Sequence, residues 1–283
     1  MRYLILGSSG QIGSALCEYY GEKNVDRFDI TDSDLQDLRL NDNKLLLEKM
    51  QSCDFVYFLA FDVGGSRYLQ KHQQTFEFVD NNVRLMQNTF DALRVTKKPF
   101  VFASSQMSNM DYSSYGALKR VGEWYTKTLG GVVVKLWNVY GIEHDLEKSH
   151  VITDFILKAK DTGVIDMLTN GLEERQFLYS EDCCEAFECI CANYGSLDRG
   201  RELHVSSYKW STVLEVAEEV ITNFPAKIEI SNKKDGVQQN KKNEADPYIL
   251  DFWKPRTPLR DGIKILCDHY NNIEKSSSYR AEE

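Results

Sequence analysis

Apolar residues fall along the chain in short blocks separated by longer stretches of helical period. "RYLILG" (2–7) is a compact apolar run closed by glycine, the pattern of a buried parallel strand. "GQIGSALCEYYGE" (10–22) follows as a helix, "VDRFDI" (25–30) as a second strand, "NDNKLLLEKM" (41–50) as a helix and "CDFVYFLAF" (53–61) as a third strand. Between 78 and 96, Val79, Val83, Met86, Phe90 and Leu93 recur at helical spacing. "KPFVFASS" (98–105) reads as a strand with a polar carboxyl end. "SSYGALKRVGEWY" (113–125) reads as a helix and "GVVVKLWNVYG" (131–141) as one further strand. Strands alternating with helices imply an α/β fold with a parallel, doubly wound sheet.

Beyond Gly141 the rhythm loosens. Helices are predicted in 150–163, after the start of 175–194, and in 211–224. This pattern suits a smaller substrate-binding lobe, mainly 142–275, beside a first domain of 1–141 that borrows parts of the C-terminal half. The polar stretch 231–247 reads as a mobile loop and 276–283 as a disordered tail.

The net charge of −9 disfavours a nucleic-acid binder, whereas one local basic pocket would suffice for an anionic substrate. The first ten residues are too short to span a membrane and lack a signal peptide's cleavage region, and no other stretch is long and apolar enough to cross one. Four of the seven cysteines crowd into "EDCCEAFECICANY" without paired metal-ligand spacing, so they read as small apolar residues of a helix. No metal is expected, and a reducing, cytoplasmic setting is.

Chemistry enters with "GSSGQIG". Gly7, Gly10 and Gly13, with Gln11 and Ile12 between them, sit where the first strand passes into the first helix. Glycines there permit a tight turn and close approach of backbone to a pyrophosphate, and the helix amino end offers free N–H groups. Asp29, at the end of the second strand, can accept both ribose hydroxyls and would repel a 2'-phosphate, favouring NAD over NADP.

The G-x-x-G-x-x-G spacing resembles the short-chain dehydrogenase/reductase superfamily, and the rest of the chain resembles its extended, NAD-dependent nucleotide-sugar epimerase/dehydratase family. Asp37 and Leu38 in "DLRL" match the segment beside the adenine, and Leu59 and Ala60 in "FLAF" the strand lining the cofactor. "SSYGALK" matches the Tyr-x-x-x-Lys signature, "LWNVYG" the strand where Asn138 would sit near the diphosphate, and "RQFLYSEDCCEAF" the stretch where Arg175 would meet it. The motifs cover nearly the whole chain in family order. The resemblance implies a Rossmann-type fold, a nucleotide-sugar substrate and a homodimer.

Tyr115 and Lys119, four apart, share a helical face. A neighbouring ammonium is expected to lower the phenol's pKa, making Tyr115 a base toward a sugar hydroxyl and Lys119 its support. Ser104 is the expected catalytic hydroxyl, with Ser105 beside it if the register slips by one. "DVGGSRYLQKH" (62–72) and "EKSHVITDF" (147–155) resemble GDP-fucose synthase and GDP-mannose 3,5-epimerase, and His150 matches a histidine that acts as an acid in the former. Gln106 stands where that enzyme carries a cysteine base, and Ser105 with Gln106 where 4,6-dehydratases carry Asp-Glu. A neutral amide takes no proton from carbon. Hydride chemistry at C4 remains, with Ser105, Gln106, Asn138, His150 and Arg175 toward the substrate. Lys135 replaces an arginine common before "NVYG".

Overall fold

The computed structural model describes residues 1–110, 112–233, 235 and 243–272. In chain order its first half runs through β1 (Tyr3–Leu6), α1 (Gln11–Tyr20), β2 (Val25–Phe28), α2 (Lys44–Ser52), β3 (Phe55–Phe58), α3 (Ser66–His72), α4 (Phe76–Thr96), β4 (Phe100–Ser105), α5 (Ser114–Thr128) and β5 (Val132–Leu136). The second half adds β6 (Asn138–Tyr140), α6 (Val151–Thr162), β7 (Val164–Asp166), β8 (Glu174–Arg175), β9 (Phe177–Tyr179) and α7 (Ser180–Ala192). It ends with β10 (Leu203–Val205), β11 (Ser211–Thr212), α8 (Val213–Ile221), β12 (Lys227–Glu229) and α9 (Leu259–Asn271).

Six strands form one parallel sheet in the order β10-β5-β4-β3-β1-β2. From β1 the chain builds outward to β2 on one side and then returns to β3 on the other. The strand order therefore reverses beside β1, the place where such sheets bind ligands beyond their carboxyl ends. Strand alternation divides the core. Leu4, Leu6, Val56, Phe58, Phe100 and Phe102 meet α2, α4 and α5 on one face, while Ile5, Phe55, Tyr57 and Val101 meet α1 and α7 on the other. A third cluster holds α6, α8 and α9 together over Ile165 and Phe177. The C-terminal half thus lends β10 and α7 to the sheet and packs its remaining helices separately.

Three expectations change. The strand expected over 131–141 is two strands, because the chain leaves the sheet at Trp137 and β6 pairs with β9 instead. On α4 the buried stripe includes Phe78, Asn82, Leu85, Met86 and Leu93, which turns Val79 and Val83 outward. α3 and α9 were not anticipated, although α9 buries a stripe of Ile263, Leu266, Cys267 and Tyr270. Of the loop expected over 231–247, residues 234 and 236–242 lie outside the described residues, as does the tail 276–283. Six cysteines are buried and Cys189 is half-buried; all seven are free thiols. Among the described residues no helix is long and apolar enough to cross a membrane.

Helix α5 lies against β4 at backbone distance. A Cβ on Gly116 would sit 2.3 Å from the Met107 carbonyl oxygen, and one on Gly122 would sit 2.3 Å from the Phe102 ring. Below this contact the buried Glu123 accepts from the Ser104 hydroxyl at 2.6 Å and from Arg120 at 3.1 Å. Lys135, fully buried, lies 3.8 Å from Glu123 and donates to Glu202 at 2.8 Å and Asn109 at 3.2 Å. That explains a cation at position 135: it neutralises a carboxylate that has no access to water. Gly122→Ala should lift α5 from Phe102 and cost about 1–3 kcal/mol, as overpacking does. Urea unfolding of the variant against wild type measures it.

Candidate active site

The turn after β1 is forced by sterics. Gly7 has φ +86°, and a Cβ there would meet the Ala60 backbone at 2.7 Å; a Cβ on Gly13 would lie 2.0 Å from the Gly7 oxygen. Gly10 differs. Its Cβ would meet only the Gly7 oxygen, at 3.5 Å, so packing alone does not require glycine there. Gly10 caps α1, whose first turn carries neither an acid nor a side-chain cap, so its positive end is left open.

Asp29 follows β2. Its carboxylate accepts from Ser9 N at 3.1 Å and from Thr31 N and Oγ1 at 3.0 and 2.9 Å, which fixes it beside the glycine turn. Asp37 is held by Arg39 at 2.8 Å; burial alone would raise its carboxyl, but the bonds and charge of Arg39 bring it below the usual range. Leu59 and Ala60 both donate through backbone N–H to Leu6 O, at 3.0 and 2.8 Å. The Gln11 amide, oriented by its partners, donates to Val139 O at 3.3 Å and accepts from Gly141 N at 2.9 Å, tying α1 to β6.

A cavity of about 690 Å³ joins these residues, with Ile12 and Leu38, to Ser105, Gln106, Tyr115, Lys119, Asn138 and His150. That is the size and position of a dinucleotide and substrate cleft at the carboxyl edge of such a sheet. Arg175 is not on its wall. Its guanidinium is paired with Asp235 and donates to Glu174 O, so it does not join the residues it was expected to accompany.

The two serines of β4 separate by strand alternation. Ser104 points into the core and donates to Glu123 at 2.6 Å, whereas Ser105, whose hydroxyl accepts from Met107 N at 3.2 Å, borders the cavity with Tyr115 and acts to lower its phenol. Both serines border the cavity, but the Ser104 hydroxyl expected there is taken up by Glu123, which leaves Ser105, its neighbour, as the alternative; the position two beyond Ser105 is Met107, which is no base. Lys119 donates to Ala103 O at 2.7 Å and lies 3.8 Å from the Phe61 ring centre and 5.9 Å from that of Tyr115. Asn138 keeps a buried Oδ1 that finds no partner among the described residues. The Gln106 amide oxygen accepts from Asn243 at 2.6 Å.

Sequence reasoning named no residue in a polar ladder along the cavity. Arg39 donates to Asn81 at 2.9 Å, and Asn81 donates to Asp62 at 3.1 Å. Asp62 also accepts from Tyr68 at 2.6 Å and from Lys148 at 3.4 Å. The segments carrying Asp62 and Lys148 had stood out by resemblance, but their pairing spans 86 positions, beyond any local signal.

Residues 3–206 match the family model described as the NAD dependent epimerase/dehydratase family. The chain belongs to that family. The cofactor of this epimerase/dehydratase is accordingly NAD, and the open amino end of α1, the bare Gly10 and the anchored Asp29 fit it. It is 23% identical to a GDP-L-fucose synthase of Sinorhizobium fredii, over 93% of each chain. In structure it resembles an epimerase of Methanothermobacter thermautotrophicus with TM-score 0.80, 17% identity and coverage of 95% of this chain and 91% of that one. It also resembles a UDP-glucuronic acid 4-epimerase of Bacillus cereus, solved with UDP-glucuronic acid and NAD. That match has TM-score 0.75, 21% identity and coverage of 96% of this chain and 99% of that one.

In this family member burial governs the tyrosine and lysine. It pushes the Tyr115 phenol up to about 12, the Ser105 bond opposing. It pulls the Lys119 ammonium down to about 7, the Glu123 charge opposing. The expected lowering of Tyr115 by Lys119 is absent, because the ammonium faces Ala103 O and Phe61 and is itself only half charged at neutral pH. Between about 7 and 10.5 the unfolded chain then binds more protons at Lys119 than the folded one, so stability rises with pH across that window. In cofactor-free protein Lys119→Met should remove that slope, as thermal midpoints measured from pH 7 to 9.5 would reveal.

Proposed function

We propose that this family member is an oxidoreductase or epimerase of a nucleoside-diphosphate sugar, acting at C4 of the sugar through Ser105, Tyr115 and Lys119. The carrying observation is that one cavity unites the open glycine turn with the Ser105 and Tyr115 pair. NAD, when bound, supplies the hydride acceptor or donor. The α1 amino end and Gly10 hold its pyrophosphate, Asp29 the adenine-side ribose, Asp37 and Leu38 the adenine, and Lys119 the nicotinamide ribose. Tyr115 exchanges a proton with the oxygen on C4, and Ser105 bonds that oxygen. The sugar lies between the sheet and the helices of 142–275, with Asn138 offering its unsatisfied amide and His150 facing the sugar. For Arg175 to reach a diphosphate it must first leave Asp235.

One observation favours a second reading within the same chemistry. A phenol held near 12 is protonated at neutral pH, which suits donation to a ketone oxygen and hence a ketosugar reductase. Likeness to GDP-L-fucose synthase favours GDP as the nucleotide. A copy of the chain is the proposed partner: α4 and α5 expose Phe76, Val83, Trp124 and Tyr125, an apolar strip suited to a homodimer.

Incubation with GDP-, UDP-, CDP- and dTDP-linked sugars and ketosugars, followed by mass spectrometry, tests the activity. Tyr115→Phe should keep bound NAD and lose about 10²–10⁴-fold in kcat; unchanged turnover would sink the assignment, and a non-catalytic NAD sensor would be indifferent to the change. Ser105→Ala should lower kcat, whereas Ser104→Ala should chiefly lower the thermal midpoint by removing one of the buried bonds to Glu123. Solvent deuterium should not enter C3 or C5 of the product. Trp124→Glu should convert a dimer to a monomer in sedimentation.

A further inference from the structure

The loop after β6 carries a buried carboxylate that the chemistry above does not use. Glu143, 7% exposed, follows the β6 strand, and its side chain lies against the first residue of the segment that opens α6. Its Oε1 is 2.6 Å from Nδ1 of His150, and Oε2 accepts from His150 N at 3.0 Å. The Glu143 backbone is itself fixed, N–H donating to the Tyr270 hydroxyl of α9 at 2.9 Å. The imidazole is 41% exposed on the cavity side, and its Nε2 has no protein partner among the described residues.

We propose that Glu143 is a positioning residue: it holds Nδ1 of His150 so that the ring presents Nε2 as a charged N–H donor to the sugar end of the cavity. This rests on the nucleotide-sugar reading above. A carboxylate accepts only, so the proton between the two groups belongs to Nδ1, and a second proton can be carried only on Nε2. Burial opposes charge on the ring, but the Glu143 charge and hydrogen bond outweigh it and raise the imidazole above its ordinary range. Glu143 is held below the carboxylate range, the His150 charge and bonds outweighing its own burial. Stability from the raised imidazole is complete below 6.5 and lost as pH climbs through its folded value. That from the lowered carboxyl is complete above 4.5 and lost as pH falls through its folded value, so the pair is strongest between.

The neighbouring charges leave Glu143 in control. His144, Asp145, Lys148, Asp62 and Tyr68 also line the cavity. Lys148 is engaged by Asp62, as is the Tyr68 hydroxyl, and Asp154 of α6 is bridged by Lys158 at 3.0 Å.

A purely structural role, capping α6 through His150 N, is separable, because Glu143→Gln keeps an acceptor of the same size. Imidazole NMR of the NAD-loaded full chain gives the first test. In wild type His150 should titrate above its ordinary range, and in Glu143→Gln its midpoint should fall by about one unit or more. A wild-type midpoint at the ordinary value, or no movement in the variant, overturns the proposal. Reduction of a nucleotide-linked 4-ketosugar by NADH, followed from pH 5.5 to 9, gives the second. The basic limb of kcat/KM should move to lower pH in Glu143→Gln and return in Glu143→Asp, with the KM for NADH within about twofold. An unmoved limb overturns the positioning role. Absence of turnover with every sugar tested would instead count against the nucleotide-sugar reading, leaving the NMR result to decide the pair.

Discussion

The site depends on one packing constraint, the bare contact of helix α5 with strand β4. Gly116 and Gly122 let the helix backbone reach Met107 and the Phe102 ring, and on the same face Lys119 and Glu123 bond Ala103 and Ser104. A helix held this closely cannot slide or rotate by a residue without breaking a buried bond. The phenol of Tyr115 is thereby held, with Ser105, in the wall of the cavity that also takes in the glycine turn.

Electrostatics follow from that closeness. The pocket shields Tyr115 and Lys119 from water so thoroughly that desolvation, rather than their mutual proximity, sets each proton equilibrium. Glu123 keeps the lysine from losing its charge altogether, and Lys135 in turn keeps Glu123 tolerable in the core. The network continues through Glu202 to His204, which accepts the Trp137 indole N–H at 3.1 Å. Indole only donates, so His204 carries its proton on Nε2 toward Glu202, and Trp137 is pinned in the cavity wall.

Much of this was legible in the sequence where the signal is local. The glycine turn, Asp29, and the Tyr115 and Lys119 pair are fixed by spacing within one strand-to-helix unit or one helical face. Strands alternate sides at every residue, so the choice between Ser104 and Ser105 turned on a register that sequence leaves ambiguous by one position. Arg175 reads as a diphosphate ligand until Asp235, 60 positions later, is seen to occupy it. Glu143 carries no motif at all; its meaning comes from a histidine seven residues on, brought back by the turn into α6. Val79 and Val83 follow helical periodicity faithfully, yet they face outward, because the period gives the spacing of a stripe and not which stripe the core selects.

The thiols of the chain have a practical corollary. Burial pushes Cys17 and Cys53 up to about 11, Cys184 and Cys267 to about 12, and Cys183 well above the ordinary value. Little thiolate exists at these sulfurs near neutrality, so alkylating reagents find them both hidden and unreactive. Cys189, half-buried on α7, is the exception in exposure, although burial raises its thiol too. The native sequence thus offers a single addressable anchor for a dye or spin probe, without engineered cysteines and away from the residues that line the cleft.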